Sequence, residues 1–178
     1  MRRIVLVFGS IAGLLIGAFT VASIAYCYST NKYEGSMLLG YAAMLLAFSL
    51  VYVGVKNYRD TENGGVITFG KAFQVGIAIS LVASTIYVIT WLIDYYVFVP
   101  DFMDKFSAHL LQEVKNSGAS AAEISSKTAE VASMKEMYKN PVMVVLFTYI
   151  EILPVALVVP LVSALLLKRK TPGEQVAA

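Results

Sequence analysis

The stretch from Val142 to Leu167 reads VMVVLFTYIEILPVALVVPLVSALLL and carries a single charged side chain, Glu151. A helix rises about 1.5 Å per residue, so about twenty apolar residues cross the hydrocarbon of a bilayer, and this stretch is long enough. Three more stretches have the same character: Ile4 to Cys27, Met37 to Val55 and Ala72 to Val99. In hydrocarbon each backbone polar group must find its partner within the protein, which makes a helix the form for such runs. The expected fold class is all-α, an integral membrane bundle of four transmembrane helices.

Composition agrees. Of 178 residues, 58% are hydrophobic and 15% charged, well outside the averages of soluble domains. A water-soluble fold is excluded, and the lipid bilayer is the first partner to expect. The net charge is only +2, and the basic residues form short clusters at the ends of apolar segments. Without a basic stripe interleaved with aromatics, nucleic acid is not an expected partner. The one cysteine, Cys27, has no mate for an intrachain disulfide and reads as a small apolar filler.

The basic clusters set an orientation, because Lys and Arg in short loops stay on the cytoplasmic side. Arg2 and Arg3 precede the first span, Lys56, Arg59 and Lys71 flank the loop between the second and third, and Lys168, Arg169 and Lys170 follow the fourth. Both termini are then expected in the cytoplasm. The connection Tyr28 to Ser36 has only Lys32, offset by Glu34, and residues 100–140 are rich in both signs, so both are expected outside. Tyr26, Tyr28, Trp91, Tyr95, Tyr96 and Tyr138 cluster near the outer ends, where amphipathic rings anchor. The basic start resembles that of a signal peptide, but the apolar run is far longer than an h-region of about 7 to 15 residues, so an uncleaved span is expected.

Between the spans, Asn63-Gly64-Gly65 supplies residues that tolerate positive φ and predicts a turn. Gly70-Lys71 lacks both a preceding strand and a following Ser or Thr, so no phosphate loop is expected there. Residues 100–140 read as a helical hairpin interrupted at Asn116-Ser117-Gly118. Phe102, Phe106, Leu110 and Val114 form a stripe on its first helix. The second opens with the capping-box spacing Ser120 to Glu123, continues its apolar face through Ile124, Thr128, Val131 and Tyr138, and ends at Asn140-Pro141. Mutual packing of the two faces is the leading expectation; lying on the outer leaflet or holding a partner are the others. Residues 1–170 form one membrane domain on this reading, and 171–178 a flexible cytoplasmic tail.

Small residues mark where helices touch. Gly9, Gly13 and Gly17 recur along one face of the first span, and Ala72, Gly76, Ser80 and Ser84 along the third. Such faces permit close backbone approach, within one chain or between two copies.

Charges inside the membrane are the candidates for function, since burying one without a partner is expensive. Glu151 lies about 15 Å from the outer end of the last span, near the midplane, with Pro154 three residues on. It is a candidate proton or cation site, or a register-fixing residue bonded to Thr85, Thr90 or a Tyr hydroxyl. Asp94, between Trp91 and Tyr95-Tyr96, is the second candidate: an interfacial carboxylate within reach of water, or a partner for a hairpin lysine or a cation. His109 and Glu113 share a face, yet spacing supplies no further ligands, so no metal and no cofactor are expected. No catalytic residue is expected, because the one His and one Cys have no evident shared cleft.

The segments Arg3-Ile4-Val5-Leu6-Val7-Phe8-Gly9, Gly40-Tyr41 through Tyr58-Arg59-Asp60, Ile67 through Phe73, Gly118 through Ile124, and Met137-Tyr138-Lys139-Asn140-Pro141 occur in an order that resembles the bacterial membrane proteins grouped as Domain of Unknown Function 4199. The resemblance covers nearly the whole chain. It implies a small multi-pass protein of a Gram-negative inner membrane with a periplasmic hairpin, and it carries over no catalytic or binding residue.

Three function classes follow. Small size, packing faces and few reactive groups favour an accessory or scaffold subunit of a membrane complex, in a homo-oligomer or with another partner. A small transporter or channel using Glu151 is the alternative. A lipid-modifying enzyme using Asp94, Glu151 and His109 ranks last, since these residues differ in depth and side.

Overall fold

The computed structural model describes residues 1–30 and 37–169. Six α-helices follow in order: α1 (Arg2–Thr30), α2 (Met37–Glu62), α3 (Phe69–Ile93), α4 (Phe102–Asn116), α5 (Ala121–Tyr138) and α6 (Pro141–Leu167), with a π-helical turn at Asp94–Phe98 extending α3. Four of the helices, α1, α2, α3 with its π turn, and α6, are long and apolar enough to cross a membrane. The chain is an all-α bundle of membrane type. Lys32, Glu34, Lys170 and the expected tail at 171–178 lie outside the described residues.

The helices overrun the apolar stretches that announce them, because hydrophobicity reports the hydrocarbon path and not the helix end. α2 continues seven residues past Val55 to Glu62, carrying Lys56 and Arg59 in helical form. Chain turns follow from residue chemistry. Gly64 and Gly65 take φ of +63° and +80°, and Gly118 takes +76° between α4 and α5. Thr68 caps α3 by accepting from the Lys71 N–H, and Asn140 caps α6 by accepting from the Val142 N–H at 2.9 Å. The Ser120–Glu123 capping box is complete, with both backbone donors satisfied.

α3 packs chiefly on α1 and α6, while α2 touches all three. Lipid tails are as apolar as leucine, so close backbone approach must hold these helices together. Gly9, Gly13 and Gly17 face α3 at Val82, Ile86 and Thr90, and Gly76 of α3 faces Pro160 of α6. The glycine faces are thus occupied within one chain. Phe48, Val51, Val55, Val75 and Ile79 fill the centre with no exposure, while Leu14, Leu38, Leu46 and Leu166 point outward.

The hairpin packs on itself and on the bundle. α4 and α5 lie together, joined by the Lys135–Asp104 ion pair at 2.6 Å. Trp91, Tyr95, Met103 and Val144 form a second buried cluster at its root. Met103 and Ser107 are the buried positions of α4, with the expected stripe of Phe102, Phe106, Leu110 and Val114 half-buried beside them. A four-residue step overshoots the 3.6-residue turn, so that stripe winds off the contact line. Thr128, expected on the apolar face of α5, is exposed and donates to the Ile124 carbonyl instead.

At the opposite end the loop before α3 meets the end of α6. Ile67 and Arg169 exchange two main-chain hydrogen bonds, at 3.2 and 2.8 Å, and Arg59 donates to the Leu167 carbonyl at 3.5 Å. The Met1 amino group pairs there with Glu62.

Candidate functional site: a polar cluster on α6 and a carboxylate-lined cavity

Glu151 sits three residues before Pro154 within α6, a helix that continues through Pro154 and Pro160. Each proline lacks an N–H, so the carbonyls of Ile150 and Ala156 lose their usual helical donors. The Glu151 carboxyl lies near the Tyr87 hydroxyl of α3. Thr20 of α1, whose hydroxyl donates to the Ile16 carbonyl at 3.0 Å, and Tyr138 of α5 also lie near this pair. Tyr87 is buried, at 4% exposure, whereas Glu151 is exposed: protein crowds its carboxyl on the Tyr87 side and leaves the other open.

The threonines named from sequence do not join this cluster. Thr85 donates to the Leu81 carbonyl at 2.8 Å and meets the Tyr149 hydroxyl at 3.0 Å, while Thr90 donates to the Ile86 carbonyl. Residues two apart on a helix point about 200° apart, so Tyr87 and Thr85 face different sides of α3. Ser80 and Ser84 are buried against α6, and neither hydroxyl has a hydrogen-bond partner among the described residues.

Asp94 was expected within reach of water, but it is buried, at 4% exposure. It continues the buried face of α3, three residues after Trp91 and seven after Tyr87, with its own N–H still on the Thr90 carbonyl; the π turn that starts there is closed by the Val99 N–H on the Asp94 carbonyl at 2.9 Å, five residues back. Asp94 Oδ2 has no hydrogen-bond partner among the described residues. Four hairpin lysines pair with other acids: Lys105 with Asp101, Lys127 with Glu130, Lys135 with Asp104 and Lys139 with Glu136. Asp94 lines a cavity of about 520 Å³ between the hairpin-end portions of α1 and α3, walled mainly by Val21, Ile24, Phe98 and Val99.

Above the cavity, Asp101 ties α1 to the start of α4. It accepts from the Tyr28 hydroxyl at 2.7 Å and pairs with Lys105 at 2.9 Å. Lys105 first, and Tyr28 next, hold the Asp101 carboxyl below the usual carboxylate range. Among the described residues no three His, Cys, Asp or Glu side chains gather as a metal site would require.

The sequence pointed to Glu151 and Asp94 as candidates and to Tyr28 as an interfacial ring, but not to Tyr87 or Thr20. Tyr87 carried a signal, a tyrosine deep in an apolar span and away from the belt of rings at its outer end, although its neighbour on α6 is far along the chain.

Packed small-residue faces, outward leucines and two acids inside the spans define a helical membrane-type bundle. More specifically, the chain belongs to the family described as Protein of unknown function (DUF4199), whose model matches residues 7–169. No curated protein and no solved structure matches it.

Proposed function

We propose that this protein is an accessory subunit of a bacterial inner-membrane complex, with both termini cytoplasmic and the hairpin periplasmic, and that a partner helix seats on α6 around Glu151. One observation carries the reading: Glu151 is open on one side near the middle of α6, next to exposed Ile150 and Leu146. Hydrocarbon cannot satisfy a carboxyl, and a partner helix with a donor at that depth does so. The glycine faces are occupied by α1, α3 and α6 themselves, which leaves the Glu151 face as the polar docking point. The distribution of Lys and Arg supports the orientation.

Purification of the tagged full chain from its native membranes in mild detergent tests this. A second polypeptide at fixed stoichiometry is expected, retained by Glu151→Gln and lost by Glu151→Leu. Recovery of the bare chain alone overturns the reading. The Thr20–Tyr87–Glu151 cluster favours a second one, a proton or cation site in a small transporter. In that case the purified chain reconstituted alone in liposomes carries a flux that Glu151→Gln abolishes with thermal stability intact.

A further inference from the structure

We propose that the cavity at Asp94 is a binding site for a lipid with a primary-ammonium headgroup, separate from the Glu151 face. At about 520 Å³ it falls within the range of about 300 to 1,000 Å³ typical of ligand sites. Its walls are apolar apart from Asp94, Thr90 and Tyr28. Both hydroxyl protons are directed elsewhere: Thr90 donates to the Ile86 carbonyl at 2.9 Å and Tyr28 to Asp101 at 2.7 Å. The outstanding polar group is then the acceptor Asp94 Oδ2, buried and without a partner among the described residues.

A buried acceptor left unmade is costly, and an acid is best matched by a charged donor. The ligand chemistry follows: an apolar body to cover Val21, Ile24, Phe98 and Val99, and an N–H-bearing cation to meet Asp94. The cavity is open on one side and built from two helices of spanning length, which places it where lipids are the abundant amphiphiles. A primary ammonium donates hydrogen bonds; a quaternary ammonium has none to donate. Asp94 therefore distinguishes phosphatidylethanolamine from phosphatidylcholine.

Native mass spectrometry of the full chain in neutral detergent micelles tests this, with phosphatidylethanolamine, phosphatidylcholine of the same acyl chains, and dodecylamine as probes. One phosphatidylethanolamine per chain is expected, held about tenfold more tightly than phosphatidylcholine. Asp94→Asn abolishes the preference. Ala25→Phe leaves Asp94 in place, fills the cavity from α1 and removes the bound lipid, so the idea stays testable if Asp94→Asn fails to fold. Competition by dodecylamine supports the ammonium as the recognised element. Equal retention of the two lipids, a preference that survives Asp94→Asn, or binding of dodecylamine without phosphatidylethanolamine overturns the proposal.

Discussion

A β-carbon added to Gly13 of α1 would lie 2.7 Å from the Ile86 Cβ and 2.8 Å from the Ala83 carbonyl oxygen of α3. No rotamer change relieves a clash with backbone, so the helices must part. Gly13→Ala is expected to destabilise the protein by about 1 to 3 kcal/mol, the range for overpacking a well-filled core, and Gly13→Leu by more. At Gly40 of α2 an added Cβ meets nothing within 4 Å, and Gly40→Ala is expected to gain a few tenths of a kcal/mol or more from helix propensity. Thermal unfolding in detergent checks the contrast; equal behaviour of the two alanine variants would show that the α1–α3 contact is not held by close approach.

Thr85 already gives its proton to the Leu81 carbonyl, so Tyr149 is the donor across the α3–α6 contact. A double-mutant cycle of Thr85→Val and Tyr149→Phe is expected to return a coupling of about 0.6 kcal/mol, the average for interhelical hydrogen bonds in membranes. Additive losses would mean the two hydroxyls do not interact.

The start of α5 depends on Ser120, whose hydroxyl accepts from the Glu123 N–H while Glu123 bonds back to the Ser120 N–H. Ser120→Ala is expected to cost about 1 kcal/mol of local helix stability. Hydrogen exchange should quicken in the first turn of α5 and stay unchanged in α6; uniform exchange along α5 would contradict the cap.

Acidification acts on the hairpin end. The Glu123 carboxyl is held below its ordinary range by the Ser120 backbone N–H first and its hydroxyl next, and Asp101 by Lys105 and Tyr28. Folded-state pKa values lower than the unfolded ones give stability that is complete above the ordinary carboxylate range near pH 4 and lost as pH falls through the lowered values. The midpoint of thermal unfolding should therefore drop on going from pH 5 to about pH 3. An Asp101→Asn, Glu123→Gln double variant should start lower at pH 7 and fall less steeply; parallel slopes would rule these two groups out as a source of the acid sensitivity.

The spans were legible because a run such as 142–167 has no other stable form in hydrocarbon, and the hairpin because Gly118 and Ser120 announce a turn and a cap. The glycine faces were legible as surfaces but not as pairs, since one small-residue stripe looks the same to a neighbour in the chain and to a second copy. Asp94 is buried because of helical period: it falls three residues after Trp91 and seven after Tyr87, on the face that α3 turns inward, which counting residues from the span end overlooks. Tyr87 was hidden because contact with Glu151 depends on how α3 and α6 rotate against each other, which no local pattern encodes.

The paired main-chain bonds between Ile67 and Arg169 fasten the loop ahead of α3 to the tail of α6, and Arg59 adds α2 through the Leu167 carbonyl. Three helices are latched at one end, where axial sliding would break the latch. Motion of the bundle is thereby reduced to pivoting, small at the latch, larger at Glu151 and widest toward the far ends of α3 and α6, beside Asp94.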